Sequence, residues 1–170
     1  MQTKIVLTNI EPGINPTADD LAMTVLARIG LMPRKKGSTE KMHNVLLELY
    51  ERSKTANREK KPESAVITVE EMALHAGITR QTMYDYLGRW LDLNLITKTS
   101  YIKEGKVIIG YKLNGTTLET AFEKAIGQVS SHLSLTQKYI QELQKMVKNA
   151  KISQSQKINQ LPDQPTANNL

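Results

Sequence analysis

The side chains of this 170-residue chain that could do acid–base, nucleophilic or metal chemistry are few and scattered. His43, His75 and His132 stand alone, without the spacing that brings two imidazoles to one metal. Glu70 and Glu71 are adjacent, as helix-start acids often are, and do not form a catalytic pair. Cysteine is absent, which removes disulfide scaffolds, thiolate metal sites and Cys nucleophiles. No phosphate-cradling Gly-rich loop, nucleophile elbow or paired metal-binding histidine occurs. The chain reads as a non-enzyme with no metal and no cofactor. What chemistry remains is hydrogen bonding and charge, concentrated between residues 79 and 106.

Charge is distributed unevenly. Lys and Arg total 23 against 17 Asp and Glu, a net +6. Residues 1–27 carry −2, residues 28–113 carry +6 and residues 114–170 carry +2. The excess is thus assigned to the central segment, and it fits a polyanionic partner, most often nucleic acid. No window approaches 18 consecutive apolar residues, and the N-terminus lacks a small-residue cleavage site. No membrane partner is expected, and an intracellular, cytoplasmic and nucleoid-associated location is.

The elements that must position these groups are legible from apolar spacing. Residues 4–10 read as a short strand or extended arm, and Pro12, Gly13 and Pro16 then interrupt regular structure. Thr17 starts a helix with Leu21, Val25, Leu26 and Ile29 as its stripe and Gly30 at its end. A basic loop, Arg34-Lys35-Lys36-Gly37, reads as solvated. Ser38 caps a second helix with Met42, Val45, Leu46 and Leu49 inward, and 53–64 reads as a frayed end and a loop. Thr68 precedes a short helix over 69–76, and Thr79 opens another over about 80–93, with Met83, Leu87, Trp90 and Leu91 inward. Residues 95–102 and 107–113 are strand-like, joined through Gly105, which supplies the positive φ of a tight hairpin.

Residues 68–93, TVEEMALHAGITRQTMYDYLGRWLDL, carry the functional argument. Ala73 is small enough for a second helix to cross closely. Gly77 accepts a left-handed turn, Ile78 fills the space between helices, and Met83 and Leu87 anchor the second helix. Ala73, Gly77 and Met83 at these intervals, with Thr79 as cap, form the pattern of a DNA-binding helix-turn-helix. A hairpin comes directly after it. Over about 38–113 the chain resembles the winged-helix superfamily.

That resemblance implies that the second helix enters the major groove of double-stranded DNA. Its outward residues near the start are Arg80, Gln81, Tyr84 and Asp85. Arg80 suits guanine O6 and N7, Gln81 suits adenine N6 and N7, and Asp85 can accept from cytosine N4. Thr79 and Thr82 are expected to bond phosphates, as is Arg89 farther along. Gly88, outward on the same helix, suggests close backbone approach. Lys103 and Lys106 flank the wing tip, and Lys98 adds a backbone contact. Trp90 is expected in the core or between helix and wing. Winged helices also serve as protein-binding adaptors, and plasmid or phage replication or partition would use the same DNA-binding parts as transcriptional control.

After Gly115, Thr116 and Glu119 have capping-box spacing. Apolar residues then recur at Leu118, Phe122, Ala125, Val129, Leu133, Ile140, Leu143 and Val147, with Thr136 in register and one extra step of four around Val129. This stripe is expected to make a homodimer, as two-fold DNA sites require. The alternative folds it back on its own chain, perhaps against helix 17–30. Gly127, Ser130, Ser131 and Ser134, with a second capping box at Ser134–Gln137, leave open a break into two helices. From Lys151 the composition is that of a disordered tail. The expected organisation is an arm and short helix over 1–37, a winged helix-turn-helix over 38–113, a C-terminal helix over 114–150 and a tail over 151–170. The fold class is mainly α with a small β-hairpin wing and a long C-terminal helix. The expected function is that of a dimeric, sequence-specific DNA-binding regulator.

Overall fold

The computed structural model describes residues 4–33 and 41–160. Among the described residues it contains five α-helices and a two-stranded antiparallel sheet. These are α1 (Ala18–Arg28), α2 (Met42–Glu59), α3 (Val69–Ala76), α4 (Arg80–Asp92), β1 (Ile96–Lys103), β2 (Lys106–Leu113) and α5 (Leu118–Asn159). A single 3-10 turn, Pro62–Ala65, links α2 to α3. Two compact units are present, Met1–Val129 and Ser130–Leu170. Arg34 to Gly37 and the proposed cap Ser38 lie outside the described residues.

The first unit is built around one apolar cluster. Leu26, Met42, Leu46, Leu49, Met72, Met83, Leu87, Trp90, Leu95 and Ile96 are all buried in it. Trp90 is fully core, and its indole N–H donates to Leu31 O at 3.3 Å, so the one polar atom of the ring is satisfied. α1 is capped reciprocally by Thr17 and Asp20, and this pair with the Thr17 backbone N–H holds the Asp20 carboxyl below its ordinary value. Its buried row is Ala22, Leu26 and Ile29, whereas Leu21 and Val25 are exposed. The expected stripe is therefore turned by one residue toward solvent. The segment 4–10 is an extended arm and not a strand. Thr8 N–H donates to Arg28 O, and Gly30, at φ +76°, lies so close to Val6 O that a Cβ there would approach it to 2.8 Å.

α2 runs further than expected. Ala56 is buried, Glu48 and Arg52 pair at i,i+4, and the helix ends only where Lys60 turns left-handed. The straight-chain residues of 53–59 are good helix formers, so losing the apolar stripe does not stop propagation. α3 begins with a reciprocal capping box between Thr68 and Glu71 and ends on Gly77 at φ +67°. Ile78 N–H returns to Ala73 O at 3.0 Å, closing the turn. Thr79 then caps α4 through its hydroxyl to Thr82 N–H at 3.2 Å.

β1 and β2 pair in register from Ile96 with Leu113 to Lys103 with Lys106. Both turn residues, Glu104 at φ 50° and Gly105 at φ 74°, are left-handed, which suits a two-residue hairpin. Ile67 and Tyr111 exchange backbone hydrogen bonds at 2.8 Å, so the chain before α3 covers one edge of β2. Gly110 permits this approach, because a Cβ there would meet Ile67 O at 2.7 Å.

The start of α5 corrects the expected cap. Thr117, not Thr116, accepts from the helix, at Thr120 N–H, 3.1 Å away. Lys124 Nζ bonds Asn114 O at 2.7 Å, and Asn114 in turn bonds Asn94 O at 2.8 Å, tying the helix start to the end of α4. Ala121, Ala125 and Val129 are buried in the core, with Leu118 and Phe122 packed against it. The expected dimerisation residues Leu118, Phe122, Ala125 and Val129 thus bury against their own chain.

The second unit is the continuation of α5. The helix is unbroken to Asn159. Thr136 donates its hydroxyl to His132 O at 3.1 Å, bonding back within the helix instead of capping a new one. The tail expected from 151 is helical as far as Asn159, because Ala, Lys and Gln continue a nucleated helix without needing an apolar face. Residues 161–170 lie outside the described residues. Every described side chain from Ser130 onward is exposed.

Candidate nucleic-acid interface

Two elements separated by a groove present most of the expected contact residues. One wall is the first turn of α4 with the start of α3; the other is the face of the hairpin that carries Lys98, Ile109 and Tyr111. The groove has a volume of about 350 Å³ and is lined by Thr68, Glu70, Arg80, Tyr84, Lys98 and Tyr111, among others. Arg80 and Tyr84, four residues apart on α4, point the same way. Arg80 Nη2 donates to Tyr84 Oη at 3.3 Å and the guanidinium lies 5.6 Å from the ring centre. Arg80 Nε pairs with Glu70 Oε1 at 3.1 Å. The Tyr84 hydroxyl and then the Glu70 carboxylate hold the guanidinium pKa above its ordinary value. Burial, with Tyr84 nearby, pushes the Tyr111 phenol up.

The outward row of α4 is Gln81, Asp85, Gly88 and Asp92, at steps of four, three and four, opposite buried Met83, Leu87 and Trp90. Gln81 is exposed in the first turn. Asp85 is exposed but shares its row with a second acid, Asp92. Around Gly88 there is open space, with nothing within 4 Å of where a Cβ would stand. Thr79 and Thr82 share a hydroxyl–hydroxyl bond of 2.9 Å, so both are engaged in the cap.

Arg89 is not brought to this surface. It is half-buried beside a small cavity lined by Lys4, Ile5, Gly30 and Leu31. Its guanidinium stands 5.6 Å from the Tyr86 ring centre, and its buried Nη1 has no hydrogen-bond partner. Rotation along α4 carries position 89 toward the N-terminal arm and away from the groove that Arg80 and Lys98 line. Lys103 and Lys106 stand opposite one another at the exposed hairpin tip.

Glu70 was not legible as a member of the group. As a first-turn acid of α3 it has a sufficient helical explanation, and its approach to Arg80 depends on how the helices cross. A second feature concerns the hairpin. Ile102 and Val107 are paired across the strands and are 76% and 66% exposed, with Ile109 exposed on the same face. Among the described residues no group of His, Asp and Glu is arranged to hold a metal ion, and no helix is long and apolar enough to cross a membrane.

Comparison with known proteins gives no match: no family model, no curated protein and no solved structure is similar to the chain. The functional reading therefore stands on the residues themselves.

Proposed function

We propose that the chain is a sequence-specific, double-stranded DNA-binding protein of winged-helix type, acting as a homodimer in transcriptional control inside the cytoplasm. The observation that carries this reading is the capped first turn of α4. It sets Arg80 and Gln81 at an exposed helix N-terminus, one wall of a groove whose other wall holds Lys98. Such a terminus attracts phosphate, and these two side chains can each bond two atoms of one base edge. Lys103 and Lys106 at the hairpin tip supply charge for a flanking backbone.

The dimer rests on α5. Beyond Val129 the helix carries Leu133, Ile140, Leu143 and Val147 on an uncovered row, with Ile126 exposed one heptad before Leu133. From Ser130 onward no side chain of α5 is buried, and a row of exposed aliphatic side chains of this length is the kind of surface that a partner covers. Leu133, Ile140 and Val147 fall at one core position and Thr136 and Leu143 at the other, the spacing of a two-position coiled-coil seam. Gln137, Tyr139, Gln144 and Met146 flank the seam, so no like charges face each other across it.

The test is titration of a DNA duplex selected from a random library. Arg80→Ala lowers affinity for the selected duplex on the order of tenfold to a hundredfold and relaxes one base position. Unchanged affinity would remove α4 from the interface.

One observation favours a second reading. The aliphatic hairpin face of Ile102, Val107 and Ile109 has no obvious use against phosphate and suits a protein-binding adaptor. That reading predicts negligible DNA affinity at moderate salt, with a complex to another protein that Ile102→Asp disrupts.

A further inference from the structure

We propose that Glu70 is a positioning residue for Arg80, fixing which edge of the guanidinium is offered to a base. The inference rests on the reading of α4 as a DNA-contacting helix. A guanidinium has two two-donor edges: a side edge, from Nε–H and one Nη2–H, and an end edge, from Nη1–H and the other Nη2–H. Glu70 Oε1 forms an ion pair with Nε at 3.1 Å, and Tyr84 Oη accepts from Nη2 at 3.3 Å. Nε and Nη2 are thus both engaged, and among the described residues Nη1 is the guanidinium nitrogen left to face a base. With Tyr84 on the Nη2 hydrogen beside Nε, the end edge keeps the parallel pair of donors that matches guanine O6 and N7.

The two partners come from different elements. Tyr84 is one turn along α4, and Glu70 is in the first turn of α3, across the Gly77 turn. A long side chain held at both positions loses rotamer freedom before binding rather than during it. Stability does not explain the arrangement, because an exposed ion pair contributes little. Charge opposes it: a carboxylate beside a surface that meets phosphate weakens general attraction. An acid at this position is useful only if orientation of Arg80 gains more than the lost attraction.

This conflict supplies the test. A duplex selected by the wild-type protein from a random library and a scrambled duplex of equal length are titrated with wild type, Glu70→Ala, Glu70→Gln, Arg80→Ala and the Glu70→Ala/Arg80→Ala double variant. Positioning predicts that Glu70→Ala weakens the selected duplex on the order of tenfold while the scrambled duplex binds no worse, or tighter. The base position that becomes degenerate is the one that Arg80→Ala relaxes, and the double variant is no weaker than Arg80→Ala alone. Glu70→Gln, which keeps the side chain's size but loses the charge that attracts the guanidinium, behaves like Glu70→Ala. Tighter binding of both duplexes by Glu70→Ala overturns the proposal, as does additivity in the double variant. Failure of the wild-type protein to enrich any sequence overturns the DNA reading itself, and the positioning role falls with it.

Discussion

Replacing Ile140 by Glu tests the part of the functional reading that depends on α5. Ile140 is 58% exposed, so its own helix covers less than half of it. Full burial of such a side chain is worth about 1.5–3 kcal/mol, and the uncovered share roughly 1 kcal/mol. The residue occurs twice in a two-stranded assembly, so the loss is about 2 kcal/mol, or roughly thirtyfold in the dimer dissociation constant. Two carboxylates facing each other across the seam add repulsion, which makes thirtyfold a lower bound. Lys138→Glu, on the opposite side of the same helix, makes a charge change twice as large and should still leave association intact. Sedimentation velocity over a dilution series from tens of micromolar to below one micromolar reads both variants. Wild-type protein that stays monomeric throughout refutes the assignment of a second copy to this seam. An Ile140→Glu variant that associates like wild type refutes the choice of face.

Three further outcomes are expected. Lys103→Ala with Lys106→Ala should lower DNA affinity evenly across sequences and reduce the slope of log K against log salt by roughly 1.8, two phosphate contacts at about 0.9 each; an unchanged slope removes the hairpin tip from the interface. Gly88→Ala should raise thermal stability by up to about 1 kcal/mol, since α4 gains a better helix former in open space; weaker DNA binding by the same variant would support close backbone approach there. For Glu71, partial burial alone would raise the carboxyl, but the Thr68 backbone N–H and the Arg52 guanidinium more than offset this and hold it below its ordinary value. A carboxyl lowered on folding stabilises the fold above its unfolded pKa, about 4.3. That contribution is lost as pH falls through the lower folded value, so the stability deficit of Glu71→Gln at neutral pH should shrink in acid, as chemical denaturation at several pH values would show.

Local rules made much of the fold readable. Thr68, Gly77, Thr79 and Gly105 each act within a few residues of themselves, and the elements they bound lie where spacing placed them. The failures come from tertiary choices. The stripe read across Val129 as one seam is one face with two fates: Ala121, Ala125 and Val129 enter the core, and the row from Leu133 stays uncovered. Apolar spacing records that a side chain needs cover, but not which surface covers it. In the same way Leu21 and Val25 read as core although Ala22 takes that side of α1. Within the site, Arg80, Tyr84 and Lys98 were legible by type and position. Glu70 and the withdrawal of Arg89 toward the arm were not, since both depend on how the helices cross.

Charge along α4 narrows how the helix could meet DNA. A helix lying lengthwise in the major groove would carry Asp85 and Asp92 between two rows of phosphates. A carboxylate about 4 Å from a phosphate costs roughly 1 kcal/mol even in water, and more where water is excluded. The first turn carries no acid, and its capped N-terminus attracts anions. An end-on approach is therefore favoured, with Arg80 and Gln81 leading and Asp85 and Asp92 held back from the groove walls. In that approach the hairpin would contribute on one side only, through Lys98 beside the groove and the tip lysines beyond it. If α4 meets DNA in this way, the net +6 of residues 28–113 would supply mainly general attraction, while selectivity would rest on the few side chains at one end of a helix whose remaining outer row is acidic.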